Sequence, residues 1–275
     1  MTTAEIALIA ERLAAVAALR DARAADPALA ARVAGLKLYQ AARFRRCYAD
    51  LLADARHAAA ARFFLDELYG PQDFAQRDAQ FARVVPKIAR VFPGELLGTV
   101  ARLAELHALS ERLDQAMAAR LPVERPGPAD YLRAWQAVGE EPARRQQIAL
   151  TVAIGQALEG YTRSRLIHAT LRLMRKPAQA AGLGDLQHVL ETGFDAFAAM
   201  RGADHFLRTV ARREARLMDA LFDPAAPARL AALGDARAVP APASAPAPAP
   251  AWAAAGSAAV AALDDEPLTT LPPAQ

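Results

Sequence analysis

Seven polar residues fall on the apolar side of helical patterns, and their types are those that do chemistry: Glu67, Arg77, His107, Asp114, Glu159, Arg163 and Glu214. A carboxylate, guanidinium or imidazole held among leucines needs a partner, because a buried polar group left unpaired is costly. Glu67 and Arg77 stand on either side of the tight turn Gly70-Pro71-Gln72-Asp73, which brings one helix back alongside the other. A Glu67–Arg77 ion pair fixing the angle between the two helices is therefore expected, with Asp78 as the other acid in reach. His107 and Asp114 share a side of their helix but lie two turns, roughly 10 Å, apart, so each has to meet a group from another helix. Glu159 and Arg163 have the four-residue spacing of a helical ion pair. Glu214 sits in the middle of the stripe Phe206, Val210, Leu217 and Leu221 and is a second candidate buried carboxylate. Converging, the seven would line an internal polar pocket able to bind a ligand or move a proton; dispersed, they are separate structural pairs.

Other chemistries find less support. Asp185, His188 and Glu191 have the spacing of a metal constellation, but they wind opposite Leu186, Leu190, Phe194 and Phe197 and are expected to face solvent. A dimetal carboxylate site needs Glu-x-x-His on two helices. The nearest spacings here are Asp54-x-x-His57 and the outward Asp185-x-x-His188. Neither a P-loop, a dinucleotide fingerprint, a zinc cysteine pattern nor a nucleophile elbow occurs, so no cofactor and no metal is expected and no catalytic residue is assigned. Cys47, the single cysteine, falls in a hydrophobic stripe and reads as a buried small hydrophobe rather than a reactive thiol.

The elements that have to position these residues are helices. Alanine makes up about a quarter of the 275 residues, whereas glycine and aromatics are sparse, a balance that favours helix over strand. Proline and capping residues punctuate the apolar periodicity. A first helix starts near Thr2, and Asp26-Pro27 supplies the N-cap and first-turn proline of a second, whose stripe is Leu29, Val33, Leu36, Phe44, Cys47 and Leu51. Further runs cover Ala58–Tyr69, the stretch from Phe74 to Phe92 with a kink at Pro86, and a fifth helix to about Arg120. Pro122–Pro128 cannot be helical and is the candidate junction between two halves. Beyond it come a short helix with Tyr131 and Trp135, one long helix from Pro142 to about Lys176, and two more near Leu183–Arg201 and Asp204–Phe222. The stretch Ile148–Leu158 is apolar on every side, which places its helix at the centre of the bundle and its Glu159–Arg163 pair inside. Gly155 and Gly160 would let a neighbouring helix approach closely. The expected fold is all-α, a bundle of eight to nine helices over residues 1–223, followed by a disordered Ala/Pro-rich tail over 224–275.

The segment Phe63-Phe64-Leu65-Asp66-Glu67-Leu68-Tyr69, continued by Gly70-Pro71-Gln72-Asp73-Phe74 and Arg77-Asp78, resembles the signature of the FFLEELY-motif proteins, an uncharacterised group from bacteria, mainly proteobacteria. Asp66 stands where that motif has Glu, which keeps the charge. The resemblance implies a helical protein and brings no activity with it.

Charge and leader sequence narrow the setting. The net charge of +3 becomes +6 once Asp264, Asp265 and Glu266, which lie beyond the last basic residue, are set aside. Acids interleave with the arginines, so a nucleic-acid partner is not expected. Arg208, Arg212 and Arg216 form a basic stripe that reads as a solvated face. The opening residues show neither a basic leader nor a signal-length apolar run, and no stretch is long enough to span a bilayer, so a cytoplasmic protein is expected. The leading functional expectation is a protein-interaction or adaptor module with a protein partner. The alternative is an enzyme or small-ligand binder that uses the internal polar pocket.

Overall fold

Alanine-rich runs with a stop signal at the end of each fold, in the computed structural model of the chain, into helices joined by short connections; the structure describes residues 2–68, 80 and 94–236. In chain order the helices are α1 (Thr2–Ala24), α2 (Pro27–Cys47), α3 (Ala49–Ala53), α4 (Ala58–Phe63), which runs on into a π-helical turn (Phe64–Leu68), α5 (Gly94–Ala118), α6 (Pro128–Val138), α7 (Glu141–Thr162), α8 (Arg165–Ala180), α9 (Gly184–Met200), α10 (Asp204–Phe222) and α11 (Ala226–Ala236). The fold is all-α, with no strand among the described residues. Asp26 caps α2 as its position dictates, its carboxylate accepting from the Leu29 amide at 3.0 Å. Of the run from Phe74 to Phe92 only Gln80 is described, buried and donating to Asp185 at 3.0 Å; the Pro86 kink lies outside the described residues.

Two boundaries differ from the periodic reading. The run from Pro142 to Lys176 is two helices, because Ser164 adopts an extended conformation and its hydroxyl accepts from the Ile167 amide at 3.3 Å, starting α8 afresh. Past Asp223 the chain is not yet irregular: the Asp223 carboxylate accepts from the Ala225 amide at 2.7 Å and pairs with Arg229 at 2.6 Å, and α11 follows. Pro227 is tolerated there because the first turn of a helix has no internal partner for its amides.

Three apolar clusters hold the bundle. One gathers Phe44, Tyr48, Phe63, Phe64, Phe197, Phe206 and Val210 from α2, the α4–π segment, α9 and α10. In the motif segment Phe63, Phe64 and Leu65 are buried and Asp66 is exposed, the sides that the apolar pattern assigns them. A second cluster combines Val33, Leu36 and Tyr39 with Met117, Tyr131, Trp135 and Met218, so it draws on both sides of the non-helical segment, which covers 122–127 because Pro128 already opens α6. That segment is pressed against α2. A Cβ on Gly35 would lie 1.6 Å from the Glu124 carbonyl oxygen. The third cluster joins Ile9 of α1 to Leu97, Ala101 and Ala104 of α5.

Helix α7 touches α5, α8, α9 and α10, the central position expected of it. Gly155 admits α10 closely, since a Cβ there would stand 2.4 Å from Leu207 Cδ2. Gly160 serves no such contact, with nothing within 4 Å of the same point. Ala149, Gln156 and Gly160 remain exposed, so α7 keeps one line to water. Among the described residues no helix is long and apolar enough to cross a membrane.

Candidate functional site

A polar seam runs through the interior along α2. Lys37, Gln40 and Arg43 follow at three-residue steps, so they wind through about 120° along one flank of the helix, and three acids from two other helices meet this flank. Glu111 of α5 lies between Lys37, which donates to it, and Arg23 of α1, at 2.8 Å. Gln40 donates to Asp114 of α5 at 2.9 Å. The Arg43 guanidinium forks onto both oxygens of Glu214 of α10, at 3.1 and 3.2 Å, and the Tyr48 hydroxyl donates to the same carboxylate at 2.8 Å. Arg43 is 7% exposed and the Glu214 side chain 15%. Two parallel N–H···O bonds of this kind suit a planar guanidinium and are unavailable to lysine.

Burial and charge pull in opposite directions along this seam. Burial is the largest single influence on the Arg43 cation and disfavours it, but the Glu214 carboxylate together with Tyr131 and Cys47 brings the guanidinium pKa above its ordinary value. Burial likewise penalises ionised Glu111, and Lys37 and Arg23 more than compensate, leaving its carboxyl below the usual range. Asp114 goes the other way: burial raises its carboxyl, and Lys37 and Gln40 offset this only in part. Burial also pushes the Cys47 thiol up, which agrees with a packed rather than a reactive sulfur.

Beside the seam stands an arginine with no carboxylate ligand among the described residues. Arg144 of α7 is buried, its guanidinium carbon 3.4 Å from the centre of the Trp135 ring, and its Nε donates to the Gly139 carbonyl at 3.2 Å. Burial lowers its pKa. Its Nη2 and the Trp135 indole Nε1 are buried and make no hydrogen bond among the described residues. Tyr131, stacked on Tyr39 with 4.7 Å between ring centres, links the two regions, since Arg43, Arg144, Asp114 and Glu214 all act on its hydroxyl electrostatically.

The seven residues singled out from the sequence separate in three ways. Asp114 and Glu214 approach a common neighbour, Tyr131, and His107 is half-buried near Glu111. Glu159 and Arg163 pair at 2.9 Å, but Arg163 is 78% exposed, so this pair lies at the surface and not inside. Glu159 is in the last turn of α7 and Arg163 lies between α7 and α8, which the reading as one continuous helix concealed. Glu67 falls in the π-helical turn, whereas Arg77, its expected partner, lies outside the described residues, as does Asp78. Of the outward trio, Asp185 and His188 are exposed, whereas Glu191 is drawn in to receive Arg175 at 2.7 Å and Gln187 at 2.9 Å. Asp54 and His57 pair with each other, and no cluster of three metal-ligating side chains occurs among the described residues. Arg43 was missed. The available signal was its distance of seven residues from Leu36, which puts it on the buried side of α2.

On the outside, α8 presents a surface of the opposite character. Ile167, Leu171 and Ala178 face inward, and Leu166, Ala169, Leu173 and Pro177, recurring at three and four residues, share an outer flank. Leu166 is 76% exposed and Leu173 77%. Arg165, Arg172 and Lys176, all exposed, form the adjoining strip, and α8 contains no acidic residue. The neighbouring cleft, lined by His168, Arg172, Arg175, Glu191 and Phe194, measures about 10 Å³ and is too small for anything beyond a water.

The family model described as Domain of unknown function (DUF8198) matches residues 19–227. The chain belongs to that family. Both the α2 seam and α8 fall within the matched region, and everything beyond Ala236 falls outside it. No curated protein and no solved structure matches the chain.

Proposed function

We propose that this member of the DUF8198 family is a protein-interaction module whose docking surface is the outer flank of α8 and whose partner is an acidic segment carrying leucines. The observation that carries the reading is the exposure of Leu166 and Leu173, about three-quarters each, on one line beside Arg165, Arg172 and Lys176. Isolated exposed leucines need no explanation, but two in register with a strip of cations make a composite surface. Covering both leucines contributes on the order of 1–2 kcal/mol apiece. That is small against the cost of association, so the complex is transient or tethered, as an adaptor requires. The resemblance of Phe63–Phe74 to the FFLEELY-motif proteins supplies no competing activity.

The test uses full-length protein in which Asp264, Asp265 and Glu266 are neutralised (D264N/D265N/E266Q), titrated into a fluorescein-labelled peptide of sequence Leu263–Leu271 and followed by anisotropy. Binding that weakens with salt and is abolished by R165E/R172E/K176E is expected. Failure of the peptide to bind would remove the reading.

A second reading, a small-anion binder, is favoured by the orphaned donors Arg144 Nη2 and Trp135 Nε1. Inorganic phosphate or a dicarboxylate that raises the melting temperature of the parent but not of Arg144→Met would support it.

A further inference from the structure

We infer that in the free protein the outer flank of α8 is covered by the chain's own segment Leu263–Leu271. This inference rests on the docking reading above and names the first occupant of that surface. Beyond Arg237 the only charged residues of the chain are Asp264, Asp265 and Glu266, three acids in a row, with Leu263 immediately before them and Leu268 and Leu271 just after. The α8 flank carries three cations and two bare leucines, with no acid in the helix. The two surfaces are complementary in charge sign, charge number and apolar content. No other stretch beyond Ala236 combines acids with leucines.

Reach and affinity both permit it. Leu263 lies 27 residues past the end of α11. A Pro/Ala-rich chain extends about 3.1 Å per residue, or roughly 80 Å, whereas a domain of this size is about 40 Å across. A patch of two leucines and three cations is weak in trans, on the order of 100 µM. A tethered segment meets it at an effective concentration on the order of millimolar, so the tether fills a site that a free peptide of the same sequence fills poorly. Any partner in trans then has to displace the chain's own segment.

Two measurements on the full chain decide this. Parent protein is expected to bind the labelled Leu263–Leu271 peptide about ten-fold more weakly than D264N/D265N/E266Q, the ratio of effective concentration to dissociation constant. Equal affinities overturn self-docking and leave the docking surface standing, whereas no binding by either protein removes the surface itself. In the second, Ala169→p-benzoylphenylalanine places a photo-crosslinker on the flank without touching its leucines or cations. Illumination is expected to join residue 169 to residues 263–271 of the same chain, independently of protein concentration. R165E/R172E/K176E should abolish that product, and adding D264K/D265K/E266K should restore it. A concentration-dependent crosslink to a second copy, capture of anionic vesicles in place of the segment, or no crosslink overturns the inference.

Discussion

Glu214→Ala is the substitution that most directly probes the interior seam. It removes the carboxylate that receives both arms of Arg43 and the Tyr48 hydroxyl, and it leaves a guanidinium 7% exposed with no counter-charge. Breaking a buried pair from one side costs about 3–5 kcal/mol. The 15% exposure of the Glu214 side chain gives water one edge of the pair and places the loss near about 3 kcal/mol. For a domain of this size each kcal/mol lowers the melting temperature by about 2–4 °C, so a drop of about 6–12 °C is expected by calorimetry at pH 7. Removing both partners is different, because no charge is stranded: R43M/E214L should recover most of the loss. A melting point for Glu214→Ala within about 2 °C of the parent, or a double variant no better than the single, would refute the assignment of this pair as the clamp between α2 and α10.

Three further outcomes follow from the same geometry. The Asp114 carboxyl is raised by burial, so its folded form favours the proton, and the stability this group allows is present at low pH and falls as pH rises through its folded pKa. Thermal melts should therefore find Asp114→Asn close to the parent at pH 4 and more stable at pH 8, and the reverse order at pH 8 contradicts the burial. Gly155→Ala drives a methyl into Leu207 and should cost about 1–3 kcal/mol in urea unfolding, against little change for the unobstructed Gly160→Ala. Arg144→Met exchanges a buried cation without a carboxylate ligand for an apolar side chain over Trp135, and a rise in melting temperature is expected; a loss beyond about 2 kcal/mol would mean more than the cation–π contact was holding it.

How much of this was readable beforehand depended on whether the signal was local. Asp26-Pro27, the apolar face of Phe63-Phe64-Leu65 and the Glu214 position in the α10 stripe are written in spacing, and each stands where spacing puts it. Ser164 was equally local, but a polar residue inside an unbroken periodic run looks like any helical serine until its hydroxyl is seen to accept the Ile167 amide. That one cap moved Glu159–Arg163 from the interior to the surface and turned the second half of a central helix into an exposed one. The carboxylate of Glu214 was legible and its guanidinium was not, because Arg43 stands 171 residues away and is one of many arginines. Partner identity across helices is a tertiary property that periodicity does not carry. The outer flank of α8 escaped notice for a related reason: leucines at helical spacing imply burial, and only the tertiary arrangement of the described residues shows Leu166 and Leu173 to be exposed.

The central claim, that α8 offers a composite apolar and basic docking surface, is tested most directly by methyl NMR. Full-length D264N/D265N/E266Q protein, labelled at leucine methyls, is titrated with the Leu263–Leu271 peptide. Shifts confined to Leu166, Leu173 and their neighbours on α8, with the buried Leu36 and Leu97 unmoved, are the predicted result. Signals of Leu166 and Leu173 that stay in place at saturating peptide, or shifts that appear only around Leu36, would contradict it.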